Sequence, residues 1–150
     1  MTIKRALFLC TGNYYRSRFA EELFNHRARQ DALGWRASSR GLAIGRGVGG
    51  NVGPISRFTL EALKERNIMP SRAEVYPAAC TIADLESADL VVALKEAEHR
   101  DLVSAQFPGW EHRVTFWHVH DIDVGSPKEA IETIDRQIEQ LILNIKSGRN

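Results

Sequence analysis

Ala6-Leu7-Phe8-Leu9-Cys10-Thr11-Gly12-Asn13-Tyr14-Tyr15-Arg16-Ser17 runs from a strand-length apolar segment into a short polar loop, and a helical pattern, Phe19-Ala20-Glu21-Glu22-Leu23-Phe24, leaves it. A strand, a tight loop and a helix N-terminus make an anion site, because unpaired N–H groups and the positive helix end converge there. The loop carries one thiol and one guanidinium at its two ends, in the spacing Cys-x5-Arg-Ser. A cysteine at the mouth of such a site is expected to carry thiolate at neutral pH. An arginine closing the loop can grip two phosphate oxygens with its planar fork. Gly12 allows close backbone approach, and Ser17 reads as an N-cap-like hydroxyl. In open α/β sheets ligands sit beyond the carboxyl ends of strands, which is where this loop falls. The bland alternative is a small buried cysteine at a strand end.

Working outward, short apolar segments alternate with amphipathic helical ones, which predicts an α/β fold with a parallel sheet. Ile3–Leu9 reads as the first strand, Ser17–Gln30 as the first helix and Trp35–Ser39 as a second strand. A glycine-rich loop follows, with Gly41, Gly45, Gly47, Gly49, Gly50 and Gly53, and is expected to be mobile beside the site. Pro54 suits the first position of a helix whose apolar side is Ile55, Phe58, Thr59, Ala62 and Leu63. Asp89–Leu94 reads as a buried strand, followed by a polar helix through Glu98, His99 and Asp101. Val114–Trp117 is the last strand. Ser126-Pro127-Lys128-Glu129 predicts a capping box, and Ile131, Ile134, Ile138, Leu141, Ile142 and Ile145 form a core-facing stripe. There is no repeat or linker, so residues 1–150 are expected to form one domain.

Composition narrows the function. With 43% apolar and 26% charged residues, the chain reads as soluble and globular. A formal net charge of +1 does not suggest a nucleic-acid binder, and no apolar stretch has the length of a membrane span or the pattern of a signal peptide. Cys10 and Cys80 do not read as a disulfide framework, and a reducing cytoplasm suits a working thiolate.

A thiolate that attacks a phosphate monoester needs an acid to protonate the leaving oxygen, and a base to activate water afterwards. The segment His120-Asp121-Ile122-Asp123-Val124-Gly125 follows the carboxyl end of the last strand and can share a face with Cys10. Asp121 is the first choice and Asp123 the alternate.

These residues bring the chain to a family. Cys10, Gly12, Asn13, Arg16 and Ser17 match the signature Cys-x-Gly-Asn-x-x-Arg-Ser as it stands here, and over nearly its whole length the chain resembles the low-molecular-weight protein tyrosine phosphatases. The segments Ser87–Ala93 and Glu98-His99-Arg100 look like the family too. The resemblance implies a four-stranded parallel sheet with helices on both sides and hydrolysis of phosphotyrosine or small aryl phosphates without a cofactor. It implies Cys10 as nucleophile, Arg16 as phosphate grip, the stretch Thr11, Gly12, Asn13, Tyr14, Tyr15, Arg16 and Ser17 as phosphate-binding, and Asp121 as acid and base. Asn13 would hold the loop in shape and Ser17 would hydrogen-bond the thiolate.

The chain departs from the family's pattern in several places. Ile122 and Asp123 replace a proline and an aromatic, Arg18 replaces a proline, and Tyr15 stands where many members carry a second cysteine. Tyr14 and Tyr15 either wall a substrate ring or face the core.

Three competing readings remain. A thiol-dependent arsenate reductase relays oxidation through two further cysteines, and with only Cys80 available that reading needs an external thiol to resolve the intermediate. A metal site could form at His118 and His120 with Asp121 and Asp123, although a structural or acid-supporting role is favoured for those histidines. A non-catalytic phosphate-binding module would be suggested by loss of the nucleophile, arginine or acid, and all three have candidates.

Overall fold

The computed structural model describes residues 2–44, 51–120 and 125–148. Ten elements follow in order: β1 (Lys4–Cys10), α1 (Arg16–Gln30), β2 (Trp35–Gly41), α2 (Arg57–Glu65), α3 (Ile82–Glu86), β3 (Leu90–Ala93), α4 (Glu96–Gln106), a 3-10 turn (Trp110–His112), β4 (Thr115–Phe116) and α5 (Pro127–Lys146). The four strands form one parallel sheet, as the resemblance implied, and their order is β2-β1-β3-β4.

β1 is central, and its side chains alternate between two cores as a pleated strand requires. Ala6 and Phe8 join Phe19, Leu23 and Phe24 of α1, Leu63 of α2 and Ile134 and Ile138 of α5. Leu7 and Leu9 join Leu85 of α3 and Val103 of α4 on the other face. Burial on both faces explains why β1 is a continuous apolar run instead of an alternating one. The α5 stripe is core, with Ile134 and Ile138 fully buried.

Several boundaries differ from the sequence reading. α2 starts at Arg57 because Ser56 is the N-cap, its hydroxyl accepting the Phe58 amide at 3.1 Å. Pro54 lies upstream and only its carbonyl is used, by Arg18. Ser17 is not a cap: Tyr15 holds that position without a side-chain bond, and Ser17 sits inside the first turn of α1. Ser126 does cap α5, accepting the Glu129 amide at 3.1 Å, with Pro127 in the first turn. A box closed by both arms occurs at Thr81 and Asp84, where it starts α3, a helix the sequence reading did not find. β4 is only two residues long, but its ladder is extended by Trp117 N–H to Ala93 O and Val119 N–H to Leu94 O. Gly45, Gly47, Gly49 and Gly50 lie outside the described residues, as do Asp121 and Asp123.

Candidate active site

All four strands run the same way, so their carboxyl ends lie along one edge, where the residue 10–17 loop leaves β1. The loop is tied down through its carbonyls. Cys10 O accepts from Leu42 N at 2.9 Å, Thr11 O from Ala43 N at 3.0 Å, Tyr14 O from Ser56 N at 3.0 Å and Tyr15 O from the Thr59 hydroxyl at 3.0 Å. The described peptides are all trans. In a planar trans peptide the following N–H points opposite the carbonyl. Anchoring these carbonyls therefore turns the amides of Thr11, Gly12, Tyr15 and Arg16 away from the scaffold.

Asn13 is the pivot of the turn. Its φ is 50°, a left-handed conformation that asparagine tolerates better than most residues. Its side-chain amide donates to the hydroxyls of Ser17 and Ser39, both at 3.0 Å, and its Oδ1 accepts from Ala78 N at 3.0 Å. Its backbone amide points at the Cys10 sulfur, 3.2 Å away. The Ser17 hydroxyl stands 2.9 Å from the same sulfur. Behind Ser39 lies Glu21, which takes the Ser39 hydroxyl at 2.5 Å and the Arg72 guanidinium at 2.6 Å. Burial pushes the Glu21 carboxyl above its usual range, with Ser39 and Arg72 opposing that rise.

Arg16 is 2% exposed, so its guanidinium is fixed by protein groups. Nη1 donates to Val119 O at 3.1 Å, and Nη2 lies 2.9 Å from Glu98 Oε2 in the first turn of α4. His99 Nε2 lies 3.0 Å from that same oxygen and 3.0 Å from the Thr11 hydroxyl. His99 Nδ1 accepts the Lys95 amide at 3.0 Å, which assigns the ring proton to Nε2. The His99 hydrogen bond and the Arg16 charge hold Glu98 down at about 2, against the opposing effect of burial.

A cavity of about 600 Å³ opens over Cys10, Gly12 and Arg16. An added Cβ at Gly12 would make ordinary contact with Asn51 Nδ2 at 3.7 Å; crowding falls on Gly41, where a Cβ would stand 2.9 Å from Thr11 O. The two tyrosines divide. Tyr15 is 5% exposed, packs edge-on against Phe58 and donates to Pro127 O at 2.9 Å. Tyr14 is half-buried and donates to Val52 O at 2.6 Å. Both rings contribute to the cavity wall, together with Asn51, Val52 and Ile55.

Arg18 is buried below that wall. Its guanidinium donates to Pro54 O at 3.2 Å, Val75 O at 2.8 Å and Arg72 O at 2.6 Å, and burial lowers its pKa. Sequence reasoning assigned no role to Arg18, Glu21, Ser39, Glu98 or His99. For Glu98 and His99 a signal existed: the first turn of a helix leaving a parallel strand lies on the ligand edge. Arg18 and Glu21 recur with Asn25 on one side of α1, a polar stripe whose burial no composition reveals.

Cys80 is buried, its thiol donating toward Thr81 O, and burial pushes it up to about 12. His118 is 73% exposed and 3.8 Å from Glu96. Among the described residues, no group of three His, Cys, Asp or Glu side chains could hold a metal ion, and no helix is long and apolar enough to cross a membrane.

A cysteine and an arginine framing an amide-lined turn at the edge of a parallel sheet define a thiol-based phosphate-handling class. The profile of the family described as low molecular weight phosphotyrosine protein phosphatase matches residues 5–147, and the chain belongs to that family. It is 31% identical, over 108 residues, to a protein-arginine-phosphatase of Bacillus subtilis (strain 168). That match covers 72% of this chain and 66% of the relative. A low molecular weight protein tyrosine phosphatase from T. tengcongensis superposes with a TM-score of 0.78 at 28% identity, over 94% of this chain and 99% of that one. A thioredoxin-dependent arsenate reductase from Corynebacterium glutamicum shares the fold, with a TM-score of 0.73 at 22% identity over 99% of this chain and 64% of that one.

Proposed function

We propose that this protein hydrolyses phosphomonoesters through Cys10, with phosphotyrosine in proteins as the substrate class. The observation that carries the reading is the Cys10 sulfur, which faces the Asn13 amide at 3.2 Å and the Ser17 hydroxyl at 2.9 Å in the turn that Arg16 closes. Sulfur attacks phosphorus, the S–P bond forms as the ester P–O bond breaks, and the leaving oxygen takes a proton from Asp121. Water then attacks phosphorus, giving its proton to the Asp121 carboxylate, and inorganic phosphate leaves as the thiolate returns. Amides of the loop and the Arg16 guanidinium stabilise charge on the equatorial oxygens in both steps. Tyr14 and the 51–56 segment line the cavity and supply a wall for an aryl ring.

Steady-state hydrolysis of an aryl phosphate by wild type, Cys10→Ser and Asp121→Asn tests this assignment. Cys10→Ser is expected to abolish turnover while still binding phosphate, and Asp121→Asn to slow phenyl ester hydrolysis strongly. Retained turnover in Cys10→Ser sinks the proposal, and a larger loss in Asp123→Asn moves the acid to that residue.

The likeness to a protein-arginine-phosphatase favours a second substrate reading, a phosphorylated guanidinium. Parallel assays on phosphotyrosine and phosphoarginine peptides decide between them by kcat/KM. Arsenate reduction is disfavoured by Cys80, whose buried, high-pKa thiol is a poor resolving nucleophile.

A further inference from the structure

The contact at Arg16 raises a chemical question. A carboxylate 2.9 Å from a phosphate-gripping guanidinium already satisfies part of its charge and repels an arriving dianion. Yet Glu98 Oε2 stands within 3.0 Å of His99 Nε2 as well as 2.9 Å from Arg16, and His99 is itself fixed by hydrogen bonds with the Lys95 amide and the Thr11 hydroxyl. The arrangement is built, since His99 is fully buried and its tautomer is set by the Lys95 N–H. Glu98 reaches the guanidinium from the α4 side, whereas the cavity wall is made by the loop and the 51–58 segment.

We propose that Glu98 is a positioning residue that fixes the Arg16 fork and, through its charge, loosens the site's hold on inorganic phosphate. A planar guanidinium that meets Val119 O at Nη1 and Glu98 at Nη2 cannot swing, so its fork keeps one orientation. The negative charge acts on ground-state ligand and product alike. It weakens product binding, while the transition state recovers its stabilisation from the amides and the pinned fork. Glu98 stays ionised at every pH at which the protein would work, because its carboxyl is held at about 2. The inference rests on the hydrolase reading above.

Its test is calorimetric titration of inorganic phosphate into the full chain, wild type, Glu98→Gln and Glu98→Asp, beside kcat and KM on an aryl phosphate. Glutamine keeps the shape and an acceptor oxygen but loses the charge. It is expected to bind phosphate about tenfold more tightly, as removal of one partly screened charge at this range allows, and to lower kcat by slowing product release. Aspartate keeps the charge on a shorter arm, so phosphate should bind no more tightly than in wild type while kcat falls. A merely structural Glu98 would change stability without tightening phosphate. Equal or weaker phosphate binding by Glu98→Gln, or tightening in Glu98→Asp, overturns the proposal. A wild-type protein that binds phosphate but hydrolyses no aryl phosphate defeats the hydrolase reading alone, and the affinity comparison still judges Glu98.

Discussion

The sulfur of Cys10 and the hydroxyl oxygen of Ser17 stand 2.9 Å apart across a seven-residue separation, so the first turn of α1 reaches back to the last residue of β1. The same hydroxyl accepts from Asn13 Nδ2. With one lone pair committed to the asparagine, the hydroxyl can give its proton to an ionised sulfur. A hydrogen bond to a charged partner contributes about 1.5–3 kcal/mol. Ser17→Ala is therefore expected to cut kcat on an aryl phosphate about ten- to a hundredfold with an unchanged circular dichroism spectrum. Full activity would mean that the hydroxyl does nothing for the nucleophile.

Asn13 separates two costs in one side chain. Asn13→Ala loses bonds to Ser17, Ser39 and Ala78 and forces alanine to φ 50°. We expect urea unfolding to show about 4 kcal/mol lost, about 1 for each bond and about 1 for the backbone. Asn13→Gly loses the same bonds but accepts the backbone, and should recover about 1 kcal/mol of that loss. Equal stability of the two variants would contradict a strained turn.

Arg18→Leu takes a donor from the carbonyls of Pro54, Val75 and Arg72, of which Arg72 O keeps the Val75 amide. At about 1 kcal/mol for each lost bond, a fall of about 3 kcal/mol is expected in denaturant unfolding. Because Pro54 lies in the segment that walls the cavity, KM should rise more than kcat falls. A melt shift with KM unchanged would show that the wall does not depend on this guanidinium.

The low pKa of Glu98 makes stability depend on pH with a definite sign. Its folded value of about 2 lies below the 4.5 of the free group, so its contribution is complete above 4.5 and disappears as pH falls toward 2. The stability difference between wild type and Glu98→Gln should be constant from pH 6 to pH 8 and shrink through the acid window. Thermal melts at closely spaced pH values read it directly, and a difference that persists undiminished at pH 2 would refute the ion pair.

The two thiols should differ chemically. Cys80 is expected to resist iodoacetamide at pH 7.5, since its thiol is pushed up to about 12. Cys10 should take the label, and added phosphate should protect it. Peptide mass mapping distinguishes them; rapid modification of Cys80 in the folded protein would contradict its burial.

The sequence made some of this legible and hid the rest for physical reasons. β1, the loop and α1 could be read because a two-sided buried strand and a helical pattern flank a short polar turn, and each signal is local. The α5 stripe was readable for the same reason. α3 escaped because five residues barely exceed one helical turn, although Thr81 and Asp84 carried its box. Ser17 misled as a cap, since a hydroxyl at a helix start satisfies sulfur as readily as a backbone amide. The partnership of Thr11 with His99 spans 88 residues and exists only because parallel strands bring their ends to one edge. Among the candidates, Cys10, Arg16, Asn13 and Ser17 come together at the turn, and Asp121 lies outside the described residues.

The bonds from Arg16 to Val119 O and from Tyr15 to Pro127 O carry a consequence for biosynthesis. The carbonyls that receive the loop's arginine and tyrosine are translated 103 and 112 residues after those side chains. A nascent chain stalled before residue 119 would thus present the thiol with a guanidinium that Glu98 can meet but Val119 cannot, and the full set of bonds would close only once residue 127 has emerged.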